Sequence, residues 1–194
     1  MSTSKGQEKR EFIMEKAKEI FVQKGYAATS MEDIVQYSGV SKGSIYYHFE
    51  SKEDLFISMI EKNSNDWLAD WLKKENGYTT FLEKLYGIAE HFTEDFQNPL
   101  MKISEEFYLS QPAQGAEVVD RLLKSLKINE QLITKIFSEG IDQGILKDDC
   151  AEQMATVFCG LLYGLSVSYY NVELTELKTM YKKATDIFLH GTAV

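Results

Sequence analysis

Two adjacent tyrosines, Tyr46 and Tyr47, lie between Lys42 and Lys52 in the segment SKGSIYYHFESK. Tyrosine hydroxyls can bond to phosphates or to base edges, and tyrosine rings can contact thymine methyl groups. The two lysines lie at or near expected helix starts, where ammonium groups and free backbone N–H groups together can hold phosphates. Residues of these types at this spacing indicate a segment that binds nucleic acid.

A short helix is needed to present these side chains on one surface. Ile45 and Phe49 are four residues apart, so at about 100° per residue they point to one side of a helix of about eight residues. Ser41 is expected to cap this helix, and Val40 and Ile45 occupy the two positions of a hydrophobic staple. Gly43 removes a side chain where the helix start must approach its target closely. The residues expected to point outward are Gly43, Ser44, Tyr46 and Tyr47.

Capping patterns predict a further short helix on each side. Thr29 and Glu32 form a T-x-x-E capping box, and Gly39 suits the left-handed conformation that ends a helix. A second capping pattern, Ser51-x-x-Asp54, opens the helix that follows. Two short helices separated by a turn of about three residues make a helix-turn-helix.

Residues 40–56, VSKGSIYYHFESKEDLF, resemble the signature of the TetR-type bacterial transcriptional regulators. The resemblance continues upstream through AKEIFVQKGYAATSMEDIVQYSGVSKG and covers residues 8–56. It implies an N-terminal helix-turn-helix DNA-binding domain and a C-terminal helical region, variable in sequence, that binds a small ligand and dimerises. By match to the family's pattern, the residues expected to touch DNA are Thr29, Lys42, Gly43, Ser44, Tyr46, Tyr47, His48 and Lys52.

The chain is expected to be all-α, because it holds 2 prolines in 194 residues and its apolar residues recur at helical spacing. We expect a three-helix DNA-binding domain over residues 1–55 and a larger helical ligand-binding and dimerisation domain over residues 56–194. Residues 1–7 are predicted to be a disordered polar arm. A helix from Lys52 to about Lys74 is expected to link the two regions mechanically. The longer predicted helices are 8–24, 52–74, 80–97, 99–110, 117–143, 149–170 and 175–190.

The net charge of −9 argues at first sight against a nucleic-acid partner. Residues 1–55 hold 8 Lys and Arg against 9 Asp and Glu, which gives −1, and the remaining 13 against 21 give −8. The segment expected to bind DNA is therefore close to neutral, and the acidic part of the chain can face away from the duplex.

The sequence also bears on location and redox chemistry. No run of about 18 apolar residues predicts a transmembrane helix, and the polar start MSTSKGQEKR lacks the apolar core of a secretory signal. A cytoplasmic location with no membrane contact is expected. Cys150 and Cys159 would lie on opposite faces of one helix, so we expect buried thiols rather than a disulfide.

The last two predicted helices are the candidate homodimer interface. Ala155, Gly160, Gly164 and Ser168 place small residues along one of them, which permits close approach of another helix. A four-helix arrangement across a two-fold axis would result. The alternative is that the apolar stripe of the final helix is ordinary core within one chain. That stripe comprises Leu177, Met180, Tyr181, Ala184, Ile187 and Phe188.

Aromatic residues are frequent outside the DNA-reading segment and would suit a flat or apolar ligand held among helices. For each of them, packing in the core is the alternative. Carboxylates nearby in sequence, Glu90, Glu94, Asp95, Glu105 and Glu106, could face a cationic ligand or simply form solvated helix faces. The candidate ligand-binding residues are Trp67, Trp71, Tyr86, Phe107, Tyr108 and Tyr163.

No residue constellation for catalysis is found, so the protein is not expected to be an enzyme or to need a cofactor. The three histidines lack metal-ligand spacing, and no GxSxG, Walker A or GxGxxG motif occurs. His91 with Glu94 and Asp95 is the nearest approach to a metal site.

Taken together, these features predict a ligand-responsive one-component transcriptional regulator, with repression favoured. A homodimer would bind a near-palindromic double-stranded operator and be released by a small-molecule effector in the C-terminal domain. Two alternatives stay open. One is a helical-bundle interaction protein without DNA binding, and the other is a ligand-binding or metal-binding enzyme on a helical scaffold.

Overall fold

The computed structural model describes residues 2–94, 96, 98, 100, 103–104, 106–107 and 116–192. These residues form helices joined by short turns, and no β-strand occurs among them. The predicted all-α class is confirmed. The helices are α1 (Ser2–Lys24), α2 (Met31–Ser38), α3 (Lys42–His48), α4 (Lys52–Glu75), α5 (Phe81–Glu94), α6 (Ala116–Asp142), α7 (Ala151–Ser166), a short 3-10 helix (Val167–Tyr170) and α8 (Leu174–Thr192). Residues 100, 103, 104, 106 and 107 are also helical.

The chain divides into two compact units. The first unit comprises Met1–Asn63 and Asn98–Lys124, and the second comprises Ser64–Gln97 and Ser125–Val194. Each unit has its own apolar core. The first unit therefore includes a stretch of chain well beyond residue 55, where the predicted DNA-binding domain ends.

The core of the first unit is built where α1 to α4 meet the stretch after residue 98. Ile13, Ala17, Ile20 and Phe21 of α1 are buried. Ile34 of α2 and Ile45 of α3 are buried as well. Leu100, Ile103 and Phe107 are buried in the same cluster. Burying large side chains such as these contributes about 1.5 to 3 kcal/mol each, so the later stretch contributes substantially to this unit.

Two helix ends in the first unit differ from the predictions. The cap of α2 is Ser30 rather than Thr29, because Ser30 accepts from the N–H of Asp33 and Asp33 reaches back to Ser30 in a reciprocal capping box. α1 begins at Ser2, so the predicted disordered arm over residues 1–7 is wrong for Ser2 to Gln7. Gly39 adopts the predicted left-handed conformation with φ of 66°, and Gly25, which follows α1, adopts it with φ of 82°.

The second unit packs α5, α7 and α8 around a core of aromatic and aliphatic side chains. Trp71, Phe81, Phe137 and Phe158 are fully buried there. At Gly140 a Cβ would lie 2.6 Å from the Phe81 ring, so only glycine allows α6 to approach that ring. The predicted helices 117–143 and 175–190 are confirmed within a few residues, and α7 gives way to the 3-10 helix after Ser166 within the predicted helix 149–170. Of the predicted helix 99–110, residues 99, 101, 102, 105 and 108–110 lie outside the described residues. In the described part of the chain, no helix is long and apolar enough to span a membrane.

Candidate nucleic-acid interface

α3 is a short helix whose two ends are fixed by local contacts. Ser41 accepts a hydrogen bond from the N–H of Ser44 at 3.3 Å, as predicted for the cap, and the N–H of Phe49 donates to Ile45 O at 2.9 Å. Val40, Ile45 and Phe49 are buried, which confirms the predicted staple and the inward side of the helix. The side chains on the opposite side are thereby held outward.

The outward side of α3 carries two exposed aromatic side chains. Tyr47 is 84% exposed and Tyr46 is 41% exposed. Gly43 is exposed as well, and no atom of the described residues lies within 4 Å of the position that a Cβ would take there. Ser44 is half-buried, and its backbone N–H is engaged by Ser41. An exposed tyrosine pair beside an open helix start is a surface that can enter a groove of DNA.

Lys42 lies at the first turn of α3 and is available to an anion. Its ammonium group pairs with Glu32 at 3.0 Å, and both side chains are 63% exposed. It also lies 5.6 Å from the centre of the Tyr46 ring. The hydrogen bond to Glu32 raises the pKa of Lys42. Exposed pairs of this kind contribute little to stability, so a phosphate can replace Glu32 at little cost.

His48 ends α3 and is half-buried. Its ring meets the Tyr47 ring edge to face at 5.0 Å and lies 6.3 Å from the Phe49 ring. It therefore supports the exposed tyrosine from the side. This position leaves part of the ring accessible at the margin of the outward face.

Thr29 and Lys52 do not share this surface. Thr29 is buried, and its hydroxyl donates to Gly25 O at 2.7 Å. Lys52 donates to the carbonyl oxygens of Tyr26 and Thr29 at 2.9 and 2.8 Å, and its ammonium group lies 4.2 Å from the Tyr26 ring centre. Partial burial lowers the pKa of Lys52. The structure thus gives both side chains a role in holding the turn between α1 and α2.

Glu106 holds the same turn from another direction. Its two carboxylate oxygens accept from the N–H groups of Tyr26 and Ala27, each at 2.9 Å. The sequence predicts that Glu106 faces either a cationic ligand or solvent. In the structure its carboxylate binds two backbone N–H groups. No local pattern could reveal the contact, because the partners are about 80 residues apart in sequence.

Arg121 of α6 binds the first turns of α4 within the first unit. Its guanidinium group donates to Asp54 at 2.7 Å and to both carboxylate oxygens of Glu61 at 2.8 and 2.7 Å. It also donates to Ser58 at 3.2 Å. Asp54 itself accepts from the N–H of Glu50 at 3.0 Å at the start of α4. The sequence does not reveal this cluster either, because α4 and Arg121 are about 60 residues apart.

Two of the predicted ligand-binding residues are linked through a third aromatic ring in the second unit. Phe92 meets Trp67 edge to face at 5.1 Å and meets Tyr163 in the same way at 5.7 Å. Asn129 donates to the Tyr163 hydroxyl at 3.1 Å. The Oδ1 atom of Asn129 is buried and accepts no hydrogen bond from the described residues. A buried acceptor beside a row of rings is suited to a largely apolar ligand with one donor group.

Trp71 and His91 form a stacked cluster close to Trp67. The His91 ring stacks on Trp67 at 4.5 Å, and Trp71 stacks on Tyr78 at 5.6 Å. At Gly87 a Cβ would lie 2.4 Å from the Tyr78 ring, so this packing requires glycine. The indole N–H of Trp71 is buried and has no acceptor among the described residues.

The polar side of His91 faces the ion pair of Lys74 and Glu94. Its Nδ1 lies 3.2 Å from the Lys74 ammonium group and 3.3 Å from the Glu94 carboxylate, and Lys74 pairs directly with Glu94. Partial burial acts to raise the pKa of Glu94, but hydrogen bonds from Lys74 and His91 hold it below its ordinary value. Within the described residues, no cluster of three or more potential metal ligands occurs.

The other predicted ligand-binding residues lie elsewhere. Tyr86 bonds to Asp186, which raises the pKa of Tyr86 to about 12. Tyr86 lines a groove of about 730 Å³ between α5 and α8. Phe107 is buried in the first unit against Tyr26 and Phe56, with ring centres 4.8 and 4.7 Å apart. Tyr108, Asp95 and Glu105 lie outside the described residues.

The last two helices keep an exposed apolar face in addition to their buried one. Leu177, Tyr181 and Ala184 are buried in the second unit, so half of the predicted six-residue stripe on α8 is core within the chain. Val157 and Ile187 remain 63% and 61% exposed. Gly160 and Gly164 of α7 are exposed, and no described atom lies within 4 Å of where their Cβ atoms would be.

The fold and the exposed face of α3 define a helical DNA-binding protein of the helix-turn-helix class. Residues 13–59 match the family described as bacterial regulatory proteins, tetR family, and residues 63–194 match the QacR-like protein, C-terminal region. The chain belongs to the TetR family of bacterial regulatory proteins, which confirms the resemblance seen in the sequence. It is a ligand-responsive, DNA-binding transcriptional regulator.

Individual relatives agree with this assignment. The chain is 28% identical over 180 residues to the HTH-type transcriptional regulator QacR of Staphylococcus aureus, covering 92% of this chain and 95% of QacR. It is 25% identical over 122 residues to IcaR of Staphylococcus epidermidis, named as a negative transcriptional regulator of the biofilm operon icaADBC, covering 62% and 65% of the two chains. The fold is also similar to that of the transcriptional regulator FadR from Bacillus subtilis in complex with stearoyl-CoA. That structure has a TM-score of 0.78 and 20% identity, and the match covers 93% of this chain and 97% of FadR.

Proposed function

We propose that this protein is a repressor that binds a near-palindromic operator as a homodimer and releases it when a small molecule binds the second unit. The observation that carries the proposal is the outward face of α3, where Tyr47 is 84% exposed beside the open start of the helix. In this proposal Lys42, Gly43, Ser44, Tyr46, Tyr47 and His48 contact DNA, and Thr29 and Lys52 shape the turn behind them. The name of IcaR, a negative regulator, supports repression.

Dimerisation is proposed because a single helix of this size reads few base pairs. A two-fold dimer would place two copies of α3 in successive major grooves, about 34 Å apart. The exposed apolar face of Val157, Leu161 and Ile187, with the bare backbone at Gly160 and Gly164, supports the last two helices as the interface. Glycines allow two α7 helices to approach closely across the axis.

The effector site is proposed to lie along Trp67, Phe92 and Tyr163 in the second unit. These rings form one row, and Asn129 Oδ1 at its end is buried without a donor from the described residues. The site therefore suits a largely apolar ligand that carries a hydrogen-bond donor. FadR, whose fold is similar, was solved with stearoyl-CoA, which supports an apolar ligand here without naming it.

Effector binding is proposed to act through α4, because this helix begins in the first unit and ends in the second. Only a ligand that prefers the non-DNA conformation can release DNA. With a coupling free energy of about 1 to 3 kcal/mol, release would be roughly 5- to 150-fold.

A regulator rather than an enzyme is further supported by the relatives, which are named as transcriptional regulators. The described residues offer no metal-ligand cluster. His91, the residue closest to a metal-site pattern, is instead stacked on Trp67 and bonded to Lys74 and Glu94.

The experiment that tests the proposal is selection of binding sites from random duplex DNA, using protein unfolded and refolded to remove any carried-over ligand. Recovery of an inverted repeat, bound by two chains, is the expected result. If folded protein recovers no consensus sequence, the DNA-reading role of α3 is wrong, and the helical-bundle interaction protein becomes the better description.

A further inference from the structure

The turn between α1 and α2 is held by contacts from two distant parts of the chain. Gly25 ends α1 in the left-handed conformation, and α2 begins at Met31. Lys52 of α4 binds two carbonyl oxygens of the turn. Glu106 binds two of its N–H groups. Lys52 thus engages acceptors of the turn, and Glu106 engages its donors.

Glu106 is well suited to fix the direction in which the chain leaves α1. Each carboxylate oxygen accepts one N–H, from Tyr26 and from Ala27, at 2.9 Å. Charge-assisted hydrogen bonds of this kind are about twice as strong as neutral ones. The Gly25 backbone lies so close that a Cβ there would be 2.9 Å from Glu106 Oε2. The contact is therefore close-fitting as well as charged.

The neighbouring residue anchors this contact in the core. Phe107 is fully buried, with its ring edge to face against Tyr26 at 4.8 Å and tilted against Phe56 at 4.7 Å. Leu100 and Ile103 are buried in the same cluster. The residue next to Glu106 is thus tightly packed in the core of the first unit.

The position of Glu106 in the chain gives the contact its significance. Residues 63–194 match the C-terminal region of the family, yet the stretch Asn98–Lys124 belongs to the first unit together with α1, α2 and α3. A carboxylate from the C-terminal region therefore binds the backbone just before the helix-turn-helix.

We infer that Glu106 is a positioning residue through which the C-terminal region sets the placement of α2 and α3, and with it the affinity for DNA. This inference rests on the proposed function, because it requires α3 to bind an operator. Glu106 touches no DNA in this scheme. It acts by fixing the Tyr26 and Ala27 amides, and through them the path into α2.

The test uses Glu106→Gln in the full-length protein, since glutamine keeps the size of the side chain but removes its charge and one of the two acceptor oxygens. Glu83→Gln is the matched control. Glu83 accepts from the N–H groups of Thr79 and Thr80 at 2.8 and 3.0 Å, both through Oε2, so it also makes charged contacts to two neighbouring backbone N–H groups, but within the second unit. The measurements are backbone amide exchange and chemical shifts by NMR, and the affinity for the duplex selected by the wild-type protein.

In Glu106→Gln, amide exchange is expected to speed up at Tyr26 and Ala27, amide shifts of α3 are expected to change, and operator affinity is expected to fall about tenfold. In Glu83→Gln, exchange should speed up at Thr79 and Thr80 while α3 shifts and operator affinity stay unchanged. This contrast separates a positioning role from a general loss of stability.

Two other outcomes would overturn the inference, and they are distinguishable. Unchanged operator affinity in Glu106→Gln, with wild-type protein binding normally, would overturn the role of Glu106 alone. Failure of the folded wild-type protein to bind any selected duplex would overturn the proposed function and this inference with it, whatever the amide exchange at Tyr26 shows.

Discussion

The ammonium group of Lys52 donates a hydrogen bond of 2.8 Å to the carbonyl oxygen of Thr29. The family pattern places both residues among those expected to touch DNA, whereas in the structure they join the start of α4 to the turn before α2. Their side chains thus stabilise the frame that carries α3. Among the residues predicted to touch DNA, Lys42, Gly43, Tyr46 and Tyr47 of α3 are exposed.

Lys52→Ala is therefore expected to destabilise the protein, because it leaves the carbonyl groups of Tyr26 and Thr29 without a charged donor. The expected loss in the free energy of unfolding is about 2 kcal/mol, measured by urea denaturation. Lys42→Ala is the control, since the Lys42 ammonium group pairs with Glu32 on the exposed surface. It should leave stability nearly unchanged and reduce the salt dependence of operator binding by about one counterion. Equal stability losses in both variants would contradict this assignment.

Features set by neighbours in sequence could be predicted. Ile45 and Phe49 predict which side of α3 faces inward, and Gly25 and Gly39 predict the left-handed ends of α1 and α2. Each of these features depends on residues within one or two helical turns. Two overlapping capping patterns, TSME at residues 29–32 and SMED at residues 30–33, could each start α2. In the structure Ser30 caps α2, and the Thr29 hydroxyl donates to Gly25 O.

Contacts between distant segments could not be predicted. Glu106 and Arg121 look like ordinary charged residues of helical segments, and their partners are about 60 to 80 residues away. Burial of Phe107 in the first unit is likewise invisible in a helical pattern, which shows that a face is apolar but not what covers it. For this reason the sequence grouped Phe107 with Trp67 as ligand-binding candidates, whereas the two rings lie in different units.

Tyr47→Ala is expected to weaken operator binding without loss of stability, because an 84% exposed side chain contributes little to the core. Loss of one contact to DNA should reduce affinity about 5- to 100-fold, measured by fluorescence anisotropy. Tyr47→Phe separates the hydroxyl group from the ring. Leu82→Ala removes an exposed apolar side chain from α5 and should change nothing. Unaltered affinity in Tyr47→Ala would exclude this residue from the interface.

Cys159 is expected to react slowly with thiol reagents. It is buried in α7, and burial raises the pKa of its thiol to about 12, so the reactive thiolate is scarce at pH 8. Its reactivity should rise with pH towards that value while the protein remains folded. Titration with a disulfide reagent should show one fast thiol, the half-buried Cys150, and one slow thiol. Two fast thiols in the folded protein would show that α7 is less well packed than the structure indicates.

Trp67→Ala and Asn129→Leu are expected to change the response to an effector more than they change the affinity for DNA. The first removes one ring of the row with Phe92 and Tyr163, and the second removes the buried acceptor at its end. Effectors can be found by screening compounds for release of the selected duplex. Tyr86→Phe, at the groove between α5 and α8, is the control that should respond normally. The reverse pattern would move the effector site to that groove.

Ile187→Glu and Val157→Lys are expected to convert a dimer into a monomer. Each side chain is more than half exposed, so a charge there should not disturb folding of the single chain. Across a two-fold axis, however, the charge would be buried in an apolar contact and opposed by its own copy, which costs several kcal/mol. Sedimentation velocity would detect the monomer. The monomer would bind the selected duplex at least about tenfold more weakly than the dimer does. The double variant Ile187→Glu with Val157→Lys offers opposite charges, so partial recovery of the dimer would show that the two residues meet across the interface. If both single variants remain dimers at micromolar concentration, the chain associates through another surface, and the exposed face of α7 and α8 has a different partner.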